Sequence, residues 1–147
     1  MREFGVILAA HGRLASALRA SAEMLCGPQR GMETVELDER MGLDEMCAAV
    51  AAAAQRLSAY GPLLLLTDLP GGTPDNAALR IACGRAGARL ISGVNMPLLC
   101  EVSMADGPLD DAMAAALLEA GRLGLRDEAD KLARAGKARA VDESEDL

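Results

Sequence analysis

The chain has 147 residues, a length that suits one domain with a real core and leaves little room for a second. Hydrophobic residues make up 51% and aromatics 1%, so the core must be built from Ala, Leu, Val, Ile and Met, and wholesale disorder is excluded. With 22 acidic against 15 basic residues and a net charge of -7, the chain lacks the basic face that a nucleic-acid partner requires.

Residues 4–10 form an unbroken apolar run, as expected of a parallel strand buried on both faces. From Leu14 apolar residues recur at helical spacing through Leu18, Ala22 and Leu25, until Gly27-Pro28 stops the helix. Residues 32–37 alternate, with Val35 and Leu37 on one side and Thr34 and Glu36 on the other, which predicts a half-buried strand nearer an edge. Residues 43–60 are Ala-rich and end at Gly61-Pro62, the signature of a helix with a clear stop. Four consecutive Leu, 63–66, followed by Thr67 predict another buried strand.

After it comes the turn Asp68-Leu69-Pro70-Gly71-Gly72 and a helix to about Arg85, with Thr73 suited to the N-cap and Pro74 to the first helical position. Residues 89–94 are a further strand, 97–104 a short helix, and 109 to about 124 a longer one. Strands alternating with helices imply βαβ units, so the expected fold class is α/β, a small doubly wound and mainly parallel sheet. Residues 1–141 are expected to form the domain and 142–147 an acidic disordered tail. Four of the seven net negative charges lie in that tail, through Asp142, Glu143, Glu145 and Asp146, and the remainder is near neutral.

Cys26, Cys47, Cys83 and Cys100 form no C-x-x-C pair, and the one His in the chain cannot complete a zinc site, so the cysteines read as buried small hydrophobes in a reducing compartment. The run 4–10 is far shorter than the ~20 residues of a membrane span and does not read as a secretory signal. A cytoplasmic location is therefore expected.

Ligands of open α/β sheets gather beyond the carboxyl ends of the strands, where the strand order reverses. His11-Gly12 ends the first strand, and Asp68 with Gly71-Gly72-Thr73-Pro74 follows the third. For the strand order 2-1-3-4 these two strands are neighbours, and His11 faces Asp68. A carboxylate on one ring nitrogen fixes the tautomer and leaves the other nitrogen free to attack. Gly71 and Gly72 allow close backbone approach, unpaired N–H groups at a helix start attract an anion, and Thr73 adds a hydroxyl. The set suits a histidine that receives a phosphoryl group, and Arg13 is a candidate to pair a phosphate or an acidic partner surface.

These residues resemble the enzyme IIA proteins of the mannose class of the bacterial sugar phosphotransferase system. The resemblance runs from Gly5 to about Gly124. It includes His11-Gly12, Ala22-Glu23-Met24-Leu25 with Gly27, Thr67-Asp68 with Gly71-Gly72-Thr73-Pro74, Asn76-Ala77-Ala78, Gly93-Val94-Asn95-Met96-Pro97 with Leu99 and Glu101, and Gly121-Arg122 with Gly124. It implies that His11 accepts phosphate from the phosphocarrier HPr and passes it to enzyme IIB, which serves the membrane sugar permease components. It further implies that Asp68 orients the imidazole and that Thr73 with the Gly71-Gly72 backbone binds the phosphate, with no resident cofactor or metal. The family usually forms homodimers that exchange a C-terminal strand, for which residues 137–141 are the one candidate here. Leu69-Pro70 stands where relatives can carry an aromatic. Two alternatives stay open: a regulatory module whose partner reads the phosphorylation state of His11, and the phosphoryl-transfer subunit of a dihydroxyacetone kinase.

Overall fold

The two apolar runs become the centre of the sheet. In the computed structural model, which describes residues 1–145 and the side chains to residue 137, β1 (Gly5–His11) lies between β2 (Met32–Leu37) and β3 (Leu63–Thr67). The short β4 (Arg89–Ser92) flanks β3, so the sheet is four-stranded, all parallel, in the order β2-β1-β3-β4. This is the expected α/β doubly wound fold, and its order reverses between β1 and β3.

Alternation along the central strands sorts the core into two layers. Val6, Leu8 and Ala10 of β1 with Leu64 and Leu66 of β3 pack against α1 (Leu14–Cys26), α4 (Met96–Met104) and α5 (Asp111–Leu123). Ile7 and Ala9 with Leu63 and Leu65 face α2 (Leu43–Arg56) and α3 (Thr73–Cys83). Successive residues of a strand point to opposite faces, so an unbroken apolar run is what a sheet covered on both sides requires. Small residues let the helices sit close: Ala15 and Ala22 of α1, Ala53 and Ala54 of α2, and Ala77 and Ala78 of α3 are all buried.

Several boundaries differ from those read in the sequence. The Ala-rich stretch 43–60 is not one helix, because α2 ends at Arg56 and a single 3-10 turn, Ser58–Tyr60, leads to Gly61. β4 stops at Ser92, where Gly93 takes a positive φ of 83°. The cysteines are less buried than expected: Cys83, at the end of α3, is exposed, and Cys26, Cys47 and Cys100 are half-buried.

The candidate edge strand, residues 137–141, is helical instead, within α6 (Ala129–Glu145). Ala, Lys and Arg dominate the sequence there, and their helix propensity exceeds their strand propensity. Asp142, Glu143 and Glu145 of the expected disordered tail continue α6, while Asp146 and Leu147 lie outside the described residues. Among the described residues no helix is long and apolar enough to cross a membrane.

Because Leu65 is fully buried between β1 and the α2/α3 layer, Leu65→Ala should destabilise the domain by roughly 2–5 kcal/mol, read as a lower midpoint in urea unfolding.

Candidate functional site

The β1–β3 register ends at the pair Ala9 and Thr67, which places His11 and Asp68 side by side just beyond the last rung. There the Asp68 carboxylate continues the ladder. Its Oδ2 accepts the backbone N–H of His11 at 3.0 Å and lies 2.9 Å from Nδ1, while Oδ1 lies 3.2 Å from the same ring nitrogen. An ionised carboxylate only accepts hydrogen bonds, so in the neutral ring Nδ1 carries the hydrogen and Nε2 keeps its lone pair. Exposure separates the two roles: the imidazole is 43% exposed and open to a partner, the carboxylate only 12%. Partial burial pushes the Asp68 carboxyl up, but the hydrogen bonds from the His11 backbone and ring outweigh it, and the group titrates below the usual carboxylate range.

Opposite the ring stands the start of α3. A Cβ on Gly72 would come within 2.9 Å of His11 Cε1 and 3.5 Å of Nε2, so glycine is what lets the imidazole lie against this turn. Gly71 has φ at 76°, a left-handed conformation that side chains rarely adopt. The glycine N–H groups, expected to hold phosphate, are already engaged: Gly71 donates to Asp75 Oδ2 at 2.8 Å and Gly72 to the Leu69 carbonyl at 3.1 Å. Gly72 also takes the N-cap position expected for Thr73, which is moved to the first helical residue with Pro74 next. The Thr73 N–H, the Thr73 hydroxyl and the Asp75 N–H are the groups at this helix start without an acceptor among the described residues. They sit at the positive end of the α3 dipole.

The other helix start beside His11 is partly occupied. Ser16, in the first turn of α1, donates its N–H and hydroxyl to Glu36 Oε1 at 3.1 and 2.5 Å, so a carboxylate from the end of β2 caps that helix. Arg13 occupies the N-cap position of α1, exposed, with no hydrogen bond or ion pair from its side chain among the described residues. The Leu14 and Ala15 N–H groups of α1 have no acceptor among the described residues, so Glu36 caps that helix at Ser16 alone.

Two acidic residues here escaped the sequence reading. Glu36 looked like the solvent side of an edge strand. Asp75, which the sequence reading did not single out, lies in the first turn of α3, and its Oδ1 accepts the hydroxyl of buried Thr67 at 2.6 Å and that of Ser92 as well. Burial pushes the Asp75 carboxyl up, and the bonds from Ser92, Thr67 and Gly71 more than offset this, leaving it below the usual range. Nothing in the local sequence marks either role, since both depend on neighbours brought together by the sheet. Among the described residues no group of His, Cys, Asp and Glu side chains is arranged to hold a metal ion.

A parallel sheet whose switch point carries an imidazole paired with a carboxylate, facing an open helix start, defines a small doubly wound domain organised around one histidine. The family model described as the PTS system fructose IIA component, the EIIA-man type, matches residues 5–120. The chain is 32% identical over 123 residues to the mannose-specific EIIAB component of Escherichia coli strain K12, covering 82% of this chain and 38% of that protein. It is 30% identical over 97 residues to the fructose-specific EIIA component of Bacillus subtilis strain 168, covering 66% of each.

Among solved structures, the mannose/sorbose specific IIA subunit from Enterococcus faecalis superposes with a TM-score of 0.78 at 29% identity, over 84% of this chain and 92% of that one. A IIA protein associated with the fucose utilization operon of Streptococcus pneumoniae has the same fold, with a TM-score of 0.78 at 24% identity, over 88% of this chain and 96% of that one. The chain belongs to the mannose-class enzyme IIA family of the sugar phosphotransferase system. It spans 38% of the length of the first curated relatives it matches.

Asp68 and Asp75 both titrate low in the folded chain, so at a given acidic pH the unfolded chain binds more protons and stability rises with pH. Their contribution is complete above the unfolded value of about 3.9 and is lost as pH falls through the lower folded values. Urea unfolding between pH 7 and pH 2 should show this loss, with a shallower slope in Asp68→Asn.

Proposed function

We propose that the chain is a phosphoryl carrier of a sugar phosphotransferase system that takes phosphate from HPr on Nε2 of His11 and passes it to enzyme IIB. The observation that carries the reading is the pairing of Nδ1 with Asp68, which leaves the Nε2 lone pair of a part-exposed imidazole beside Gly72 and the start of α3. In the accepting step Nε2 attacks phosphorus, the N–P bond forms, and the bond from phosphorus to the donor breaks with its electron pair returning to the donor. Asp68 offsets the positive charge that grows on the ring, and the Thr73 N–H and hydroxyl with the Asp75 N–H receive the phosphoryl oxygens.

Gly71 and Gly72 serve by leaving room for ring and phosphate, and Arg13 stands exposed at the rim for a partner's acidic groups. The second transfer is the same displacement in reverse, toward enzyme IIB. No resident cofactor or metal enters either step. The work is placed in the cytoplasm, beside the permease components, and a homodimer is the proposed assembly.

Choice of sugar belongs elsewhere in the system. Relatives named for mannose, sorbose and fructose are all similar to this chain. Its only aromatics, Phe4 and Tyr60, offer no stacking site at the His11 end, since Phe4 is buried before β1 and Tyr60 ends the 3-10 turn before β3.

His11→Ala should abolish labelling by phosphorylated HPr, and undiminished labelling would refute the proposal. Asp68→Asn should keep the fold, checked by circular dichroism, while slowing transfer by roughly 10²-fold through loss of ring orientation and charge stabilisation. Transfer at the wild-type rate would remove Asp68 from the mechanism.

A further inference from the structure

We propose that Asp75 is a positioning residue for phosphoryl transfer, clamping the Gly71-Gly72 turn to the ends of β3 and β4 so that the start of α3 keeps its place against His11. The inference rests on reading His11 as the phosphoryl acceptor. Three donors from separate stretches of chain converge on this one carboxylate: the Thr67 hydroxyl at the end of β3, the Ser92 hydroxyl at the end of β4, and the Gly71 N–H in the turn. The bond from Gly71 is the link to chemistry, because the next residue, Gly72, lies against the imidazole. A second tie runs from the turn to α3, where Asn76 Nδ2 donates to the Gly71 carbonyl at 3.1 Å.

A carboxylate beside a phosphate site is at first sight the wrong charge. Here Oδ1 is occupied by the two hydroxyls and Oδ2 by Gly71, while the N–H of the same residue remains without an acceptor among the described residues. Asp75 therefore offers its side chain to the sheet and turn and its backbone to an anion. Without the clamp, Gly71 loses its acceptor and the turn is free to move relative to Nε2. A displacement of about 1 Å is enough to slow a positioned reaction by roughly 10²-fold.

Asparagine can keep the clamp without the charge, turning its oxygen to the Gly71 N–H and its amide toward the hydroxyls, which can rotate to accept. Alanine cannot. The test compares the full-length wild type, Asp75→Ala and Asp75→Asn, using phosphorylated HPr as donor and amide hydrogen exchange at Gly71 as a readout independent of transfer. Asp75→Ala should lower the rate constant at saturating donor by about 10-fold or more with little change in the half-saturating concentration, and should speed exchange at Gly71. Asp75→Asn should restore most of both.

The proposal is overturned if Asp75→Ala transfers at the wild-type rate, or if Asp75→Asn recovers protection at Gly71 yet stays as slow as alanine. Should Asp75→Ala not fold, Asp75→Ser, polar but too short to reach Gly71, replaces it under the same criteria. Absence of labelling in the wild type would instead refute the acceptor role of His11, and exchange at Gly71 would still report on the clamp.

Discussion

One carboxylate, that of Asp68, takes both the backbone N–H and the ring Nδ1 of His11. The first bond anchors the end of β1 to the end of β3, and the second sets the ring's rotation and tautomer. Because both converge on Oδ2, the imidazole cannot turn without disturbing the end of the sheet. That coupling gives an exposed side chain the orientation of a buried one, and charge-assisted bonds of this kind are stronger than those between neutral groups.

The sheet makes this possible by its order. Parallel neighbours β1 and β3 end at the same level, and the chain leaves them in opposite directions, toward α1 and toward α3. The two helix starts beside His11 are not equivalent. At one, Glu36 takes the Ser16 N–H and hydroxyl; at the other, the missing Cβ of Gly72 leaves room for the ring. Asp75 then ties the α3 side to β3 and β4, and the whole cradle rests on strand ends held by two apolar layers.

Much of this was legible before any coordinates. Unbroken apolar runs predicted buried parallel strands, Gly27-Pro28 marked the stop of α1, and the strand order 2-1-3-4 brought His11 and Asp68 together. What misled was chemistry that looks the same in two settings. The resemblance implies a C-terminal strand at residues 137–141, but their Ala-rich, basic composition favours a helix and they lie in α6. The resemblance implies that the Gly71-Gly72 backbone binds phosphate, and here both N–H groups are bonded within the chain.

The sequence by itself determined the strand and helix alternation, the family, and the pair His11 and Asp68, because periodicity and short motifs are local properties of the chain. Only the tertiary structure decided that Glu36 caps α1 at Ser16, which N–H groups of α3 remain unpaired, and that Asp75 joins two strand ends to the turn. Those outcomes turn on Glu36, Thr67 and Ser92, which lie 20, 8 and 17 positions along the chain from their partners. Their hydrogen bonds exist only once the sheet has set its strands side by side, so no local pattern could announce them.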